Sequence, residues 1–398
     1  MKLSQRALGI NPSPTLAIDA KAKQMIKDGI DVIGFGAGEP DFDTPESIKN
    51  EAILSLKRGE TKYTPASGTQ ALKEAVCYKM ERDHGLKYSA NQVIICCGAK
   101  HALYNLFQVI CDPGDEVIIP APYWVSYSEQ VVMTGAKAVI IPTNEQSGFK
   151  MTAAQFEAAI TPKTVALILN SPSNPTGAVY SKAELEAIAK IAVKHQVTVV
   201  SDEIYEQLIY EGEHFSIASL GSEIKDLTIV INGVAKTFSM TGWRIGYAVG
   251  DAKIIKAMGD LQSHSTSNPT TFCQAASVSA LMRPPTVEIK TMVTEFEKRR
   301  DYMVETINQI PGISCVKPNG AFYVFANLSG LIGKSAFGKT ITDGDVFAEL
   351  LLEHAKVAVV PGTGFGAPEF MRLSYATSMA NIENGLARIK KFVDENVK

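Results

Sequence analysis

Short apolar runs rich in β-branched residues recur through the middle of the chain. They are Val93–Cys97, Glu116–Pro120, Ala138–Ile141, Val165–Leu169, Val197–Val200, Thr228–Ile231 and Ile245–Val249. A strand with one wet face alternates apolar and polar residues, whereas a run without alternation is covered on both faces. These runs therefore predict the strands of a mainly parallel sheet buried on both sides. Longer stretches with apolar residues at helical spacing lie between them, among them Ala99–Ile110 and Lys182–His195. Strands alternating with helices predict an α/β domain with crossover connections.

After Pro284-Pro285 the pattern changes. Val287–Ile310 predicts a long charged helix, Phe322–Phe325 and Lys356–Val360 predict strands, and Asn381–Val397 predicts a closing helix. This describes a second α/β domain hinged on the first. No low-complexity segment or obvious repeat interrupts the chain.

Bulk properties narrow the function. A chain of 398 residues suits one large domain and a smaller one. The hydrophobic fraction of 45% and charged fraction of 20% are ordinary for a globular protein. A net charge of −3 gives no electrostatic case for nucleic acid as a partner. The cysteines (Cys77, Cys96, Cys97, Cys111, Cys273, Cys315) show no Cys-x-x-Cys spacing, so reduced core thiols are expected rather than disulfides or a metal site. The first residues lack the apolar core of a signal peptide, and no apolar run approaches the ~20 residues of a membrane helix. The expected compartment is the cytoplasm, with no membrane partner.

The run Thr228–Ile231 empties into residues 233–247, Gly-Val-Ala-Lys-Thr-Phe-Ser-Met-Thr-Gly-Trp-Arg-Ile-Gly-Tyr. Lys236 thus leaves a strand end for a loop that carries a second cation, Arg244. A lone lysine there reads as a solvated charge. Paired with an arginine among small residues, it suits a reactive amine beside an anion. Pyridoxal 5'-phosphate needs that set: an amine for its aldehyde, a carboxylate for its ring nitrogen, and cations plus backbone amides for its phosphate.

The stretch resembles the cofactor-lysine signature of class I pyridoxal-phosphate-dependent aminotransferases. The chain is most similar to their aspartate aminotransferase subgroup of the bacterial Ib type. The resemblance runs from Asn11-Pro12-Ser13 to Arg372, with motifs in family order. It implies the fold-type I architecture: a large domain with a mainly parallel seven-stranded sheet, and a smaller α/β domain made from both chain ends. The implied boundaries are 46–285 for the large domain, with 1–45 and 286–398 for the small one. Lys236 matches the lysine that bonds the cofactor, and Arg244 matches the phosphate-binding arginine. Many relatives carry a serine just before the lysine, where this chain has Ala235.

Other polar motifs fall at strand ends, where α/β sheets bind ligands. Val197–Val200 ends in Ser-Asp-Glu-Ile-Tyr. Asp202 would pair with the ring nitrogen and keep the ring cationic, and Tyr205 would bond the ring oxygen. A helix-capping aspartate followed by a packing tyrosine is an equal reading of these two residues alone. Val165–Leu169 runs into Asn-Ser-Pro-Ser-Asn-Pro-Thr-Gly, residues 170–177, whose proline steps stiffen the loop. Asn174 would be the second donor to the ring oxygen. Gly98-Ala99, between a strand and a helix, would turn backbone amides toward the phosphate. Trp124 matches the residue that stacks on the ring, a core tryptophan being the alternative. Tyr63 matches a tyrosine that reaches the phosphate across a dimer interface, a surface tyrosine being the alternative. The homodimer is implied by the resemblance alone.

Amino-acid and 2-oxo-acid substrates bring an α-carboxylate, for which an arginine fork is the expected partner. Arg372, in an apolar run, matches that arginine, and Gly38 matches a glycine whose backbone closes over the carboxylate. Lys100 matches the lysine associated with a second, distal carboxylate, as in aspartate. A solvated lysine at a helix start is the alternative. Relatives that accept prephenate tend to carry a lysine where this chain has Asn11, which argues against prephenate. The implied activity is ping-pong transamination of aspartate with 2-oxoglutarate, with Lys236 as the base and its amine pKa depressed by neighbouring cations. The alternatives are an aminotransferase of aromatic or broader specificity, a lyase on the same scaffold, and a ligand-sensing regulator. The chain has no spare segment for a DNA-binding module.

Overall fold

The fold is taken from a computed structural model that describes residues 2–10 and 14–398. Each apolar run of the central region forms a strand. In spatial order these are Val93–Cys96, Gly246–Val249, Thr228–Gly233, Thr198–Asp202, Thr164–Asn170, Glu116–Ala121 and Lys137–Pro142. Gly246–Val249 runs antiparallel to both neighbours. Every other adjacent pair is parallel.

Alternate residues of each strand enter different cores, as a pleated strand requires. Ala166, Ile168, Val200 and Ile231 pack with Leu103, Leu106 and Phe107 of the helix Ala99–Ile110. Leu167, Leu169 and Val199 face the opposite way, onto Phe156 and onto Leu185 and Ile188 of the helix Lys182–His195. That helix starts where a capping box predicts: Ser181 accepts from the Glu184 amide while Glu184 accepts from the Ser181 amide. The expected burial on both faces fails at Lys137–Pro142. This strand is the sheet edge, with one neighbour, and Ile140 remains 39% exposed.

A second, antiparallel sheet has the order Val360–Pro361, Phe370–Ser374, Tyr323–Asn327, Ser314–Cys315. Phe296, Met303 and Ile307 of the helix Thr286–Ile307, and Ile382, Leu386 and Ile389 of the helix Met379–Asn396, share one core with it. The single strand expected over Lys356–Val360 is two pieces, because the chain changes partner there. Val357–Ala358 pairs parallel with Ile33–Gly34, while Val360–Pro361 joins the second sheet. The cysteines are all unpaired, with Cys96, Cys111 and Cys273 buried. Among the described residues no helix is long and apolar enough to cross a membrane.

Candidate active site

The parallel strands Thr164–Asn170 and Thr198–Asp202 end side by side, with Asn170 opposite Asp202 in register. Thr228–Gly233 ends next to them and delivers Lys236 three residues later. A cavity of about 470 Å³ opens over these ends. Gly38, Gly98, Ala99, Lys100, Trp124, Asn174, Asp202, Tyr205, Lys236, Arg244 and Arg372 all line it. Tyr63 does not, and stands 91% exposed on this chain. Asn11-Pro12-Ser13 lies outside the described residues.

Lys236 Nζ donates to the Gly38 carbonyl and lies 5.8 Å from the Tyr205 ring centre. Burial lowers its pKa to about 8. Arg372 and Arg244 push the same way, against Glu39 and Asp202. At that pKa the amine is still mainly protonated near physiological pH, but with a far larger neutral fraction than an ordinary lysine has.

Asp202 is buried at its strand end. Its carboxylate accepts from the Tyr127 hydroxyl at 2.7 Å and from the Ile204 amide at 3.2 Å. Burial nevertheless raises its pKa to about 6. No helix starts after it, so the helix-capping reading falls away. Tyr205 faces the same cavity, its hydroxyl 3.0 Å from that of Tyr323.

Arg372 sits in the middle of Phe370–Ser374 at 2% exposure. Its two Nη atoms donate to Asn174 Oδ1 at 2.9 Å and to the Gly36 carbonyl at 3.0 Å. The guanidinium lies 4.4 Å from the Tyr323 ring centre, and its Nε has no partner. A buried guanidinium held only by neutral groups is an uncompensated charge, which a ligand carboxylate would neutralise. Asn174 is held by its own amide, which donates to Asn170 Oδ1 at 2.8 Å. With Oδ1 committed to Arg372, the amide group of Asn174 presents its NH2 as donor.

Gly98 precedes the helix Ala99–Ile110 at φ +90°, and a Cβ on it would lie 2.5 Å from Arg244 Nη2. A Cβ on Gly246 would lie 2.2 Å from the Ala99 amide nitrogen. The two glycines let a helix N-terminus, a strand and an arginine meet, and such an end attracts an anion. Arg244 is oriented by the carbonyls of Thr241 at 2.8 Å and Cys97 at 3.4 Å. Trp124 is half-buried rather than a core residue, and Lys100 Nζ lies 4.8 Å from its ring centre. Burial, then Arg244, lowers the Lys100 pKa.

Sequence reasoning missed Tyr127, Asn170, Tyr323 and Glu39, which also line the cavity. Tyr127 had one available signal: it stands three residues after Trp124, one helical turn away. Asn170 stood inside the motif of residues 170–177, and Glu39 directly follows Gly38. Tyr323 had none.

An α/β sheet whose strand ends converge on a low-pKa amine and a buried arginine defines an enzyme of small, anionic substrates. Comparison with known proteins narrows that class. Residues 30–389 match aminotransferase class I and II, and the chain belongs to that family. It is 54% identical to the aspartate aminotransferase of Bacillus sp. (strain YM-2), covering 98% of this chain and 99% of that one. It is 47% identical to the aspartate/prephenate aminotransferase of Cereibacter sphaeroides (strain ATCC 17029 / ATH 2.4.9), covering 98% of each. The solved aspartate aminotransferase of Rhizobium meliloti superposes with a TM-score of 0.96 at 45% identity over the full length of both.

Proposed function

We propose that the chain is a pyridoxal 5'-phosphate-dependent aspartate aminotransferase that passes the amino group of aspartate to 2-oxoglutarate by a ping-pong mechanism. One observation carries the reading: a single cavity joins the low-pKa amine of Lys236 to the buried, under-compensated guanidinium of Arg372. The cavity also fits the cofactor, because amine, carboxylate and anion cradle all face one space. When bound, the cofactor supplies an aldehyde for amine exchange and an electron-poor ring that stabilises a carbanion.

The chain's own residues do the rest. Lys236 would hold the cofactor, and its amine would serve as the general base for the substrate α-proton. Asp202 keeps the ring nitrogen protonated. Tyr205 and Asn174 would donate to the ring oxygen, and Trp124 would lie against the ring. The amides at Gly98-Ala99 and the Arg244 guanidinium hold the phosphate. Arg372 takes the α-carboxylate under the Gly38 backbone, and Lys100 takes the distal carboxylate.

Tyr63 completes the phosphate site from a second copy of the chain, which makes the working unit a homodimer. Its exposure supports this, since it is a large aromatic ring with no cover of its own. The large domain is residues 46–285, and the small domain is 1–45 with 286–398. The pairing of Ile33–Gly34 with Val357–Ala358 supports that division. A cytoplasmic location suits the unpaired cysteines.

The test is a steady-state assay with aspartate and 2-oxoglutarate that follows oxaloacetate. Glutamate, tyrosine and kynurenine serve as other donors, and prephenate as another acceptor. Aspartate turnover that needs no oxo acid would indicate a lyase and overturn the reading. A preference for tyrosine over aspartate would overturn the role of Lys100.

A further inference from the structure

The turn that carries Asp202 and Tyr205 has a second face. Asp202 and Tyr205 line the cavity, while Glu203 and Glu206, on the same five-residue turn, enter a buried charge cluster away from it. Glu206 Oε2 lies 2.5 Å from Lys79 Nζ and 2.8 Å from His84 Nε2. Both partners belong to the helix Gln70–His84. Glu203 Oε1 accepts from Ser201 at 2.8 Å and Ser216 at 2.7 Å, and its Oε2 lies 3.4 Å from His214 Nε2. All five charged or titratable side chains are at least nine-tenths buried. Asp83, Arg82, Tyr88 and Tyr247 also bear electrostatically on the cluster.

His84, Glu203, Glu206 and His214 bring ligand atoms within 4.8 Å of one another, as a metal site would. The Lys79 ammonium lies against two of these four, 2.9 Å from His84 and 2.5 Å from Glu206. The cluster therefore carries its own cation. A buried ion pair contributes little net stability compared with apolar packing of the same volume, whereas it specifies one geometry strongly. What it specifies here is the register of the turn. The Glu203 amide bonds the Ile231 carbonyl of the strand leading to Lys236, and the Glu206 amide closes the turn on the Glu203 carbonyl.

We propose that Lys79 and His84 acting through Glu206, and His214 acting through Glu203, are positioning residues that hold Asp202 and Tyr205 against the cofactor ring. The inference rests on the cofactor reading given above. None of these groups reaches the cavity, so their effect on chemistry passes through the turn.

The test is the double variant Lys79→Met/Glu206→Leu of the full chain, purified with cofactor. It replaces the ion pair by apolar groups; Asp83 keeps Arg82, and His84 loses Lys79 and Glu206 together. The melting temperature is expected to stay close to wild type. Displacing two groups that touch the ring should cut kcat about tenfold or more. The pH midpoint of the cofactor's visible absorbance should move by about half a unit or more. KM for aspartate should change less than about threefold, because Arg372 and Lys100 are untouched. A folded double variant with wild-type kcat and midpoint would overturn the inference. If the double variant does not fold, Glu203→Gln is measured in the same way. That variant keeps the bonds from Ser201 and Ser216 and loses the charge facing His214, and wild-type behaviour in it overturns the inference equally. A wild-type protein with no cofactor absorbance is a different result: it defeats the cofactor reading itself, and this inference with it.

Discussion

The Tyr127 hydroxyl donates to the Asp202 carboxylate at 2.7 Å, across 75 residues of sequence and inside the protein. Tyr127 and Trp124 also pack edge to face, with ring centres 5.3 Å apart. One short stretch therefore supplies both the face proposed to stack on the ring and the partner of the carboxylate proposed for the ring nitrogen. A hydrogen bond to a charged group is worth about 1.5–3 kcal/mol. Tyr127→Phe should raise the Asp202 pKa further above about 6 and weaken cofactor affinity roughly tenfold or more. Cofactor titration by fluorescence checks this; unchanged affinity and kcat would show that the bond is only packing.

Asp202 should cost the cofactor-free protein stability. Burial raises its pKa from 3.8 to about 6, so the folded state keeps a proton that the unfolded chain releases between those values. Stability therefore falls as pH rises from about 4 to 6, and the full loss of about 3 kcal/mol persists above that. Asp202→Asn keeps the bond from Tyr127 and removes the charge. It should stabilise the cofactor-free protein at pH 7.5 by up to about 3 kcal/mol and by far less at pH 4.5, while abolishing useful turnover. Denaturant unfolding at the two pH values decides it, and equal effects at both would contradict the account.

Lys236→Ala should retain the fold and lose the visible absorbance of the bound cofactor. Its kcat should fall by roughly 10²–10⁴ or more, the range for a general acid–base group. In the wild type, the amine must be neutral to accept a proton. With its pKa lowered to about 8, kcat should rise with pH up to about 8 and then level off. A variant with an unchanged spectrum would remove Lys236 from the chemistry.

Lys100→Ala should discriminate between substrates. The ammonium faces the cavity beside Trp124, so its loss should affect mainly a substrate with a second carboxylate. The expected cost is about tenfold or more in kcat/KM for aspartate, and under about threefold for an aromatic amino acid. Equal losses on both would assign Lys100 to the phosphate region instead.

Much of this arrangement is legible in the chain itself, for a local reason. Strand runs, helix periodicity and the turns at Gly98 and residues 170–177 are set by neighbours a few residues apart, and they lie where expected. Asp202, Asn174, Gly98 and Lys236 lie at or just beyond strand ends, so a parallel sheet gathers them, whereas Arg372 comes from mid-strand in the second sheet. The misreadings have the same root. Lys356–Val360 is one apolar run but serves two partners, and Ile140 looks like a core residue but lies on an edge. Neither difference is written in local pattern.

The sequence alone determined the α/β alternation and the strand-end position of Lys236, because periodicity and turn chemistry act over short spans; the candidate set from Gly38 to Arg372 followed from the family resemblance of its motifs. Only the tertiary structure decided which groups tune them. It placed Tyr127 against Asp202, Asn174 and the Gly36 carbonyl against Arg372, and Lys79 against Glu206, 127 residues apart. Those pairings depend on which buried polar atoms are left facing one another once the sheet has closed, and burial is what makes each of them strong.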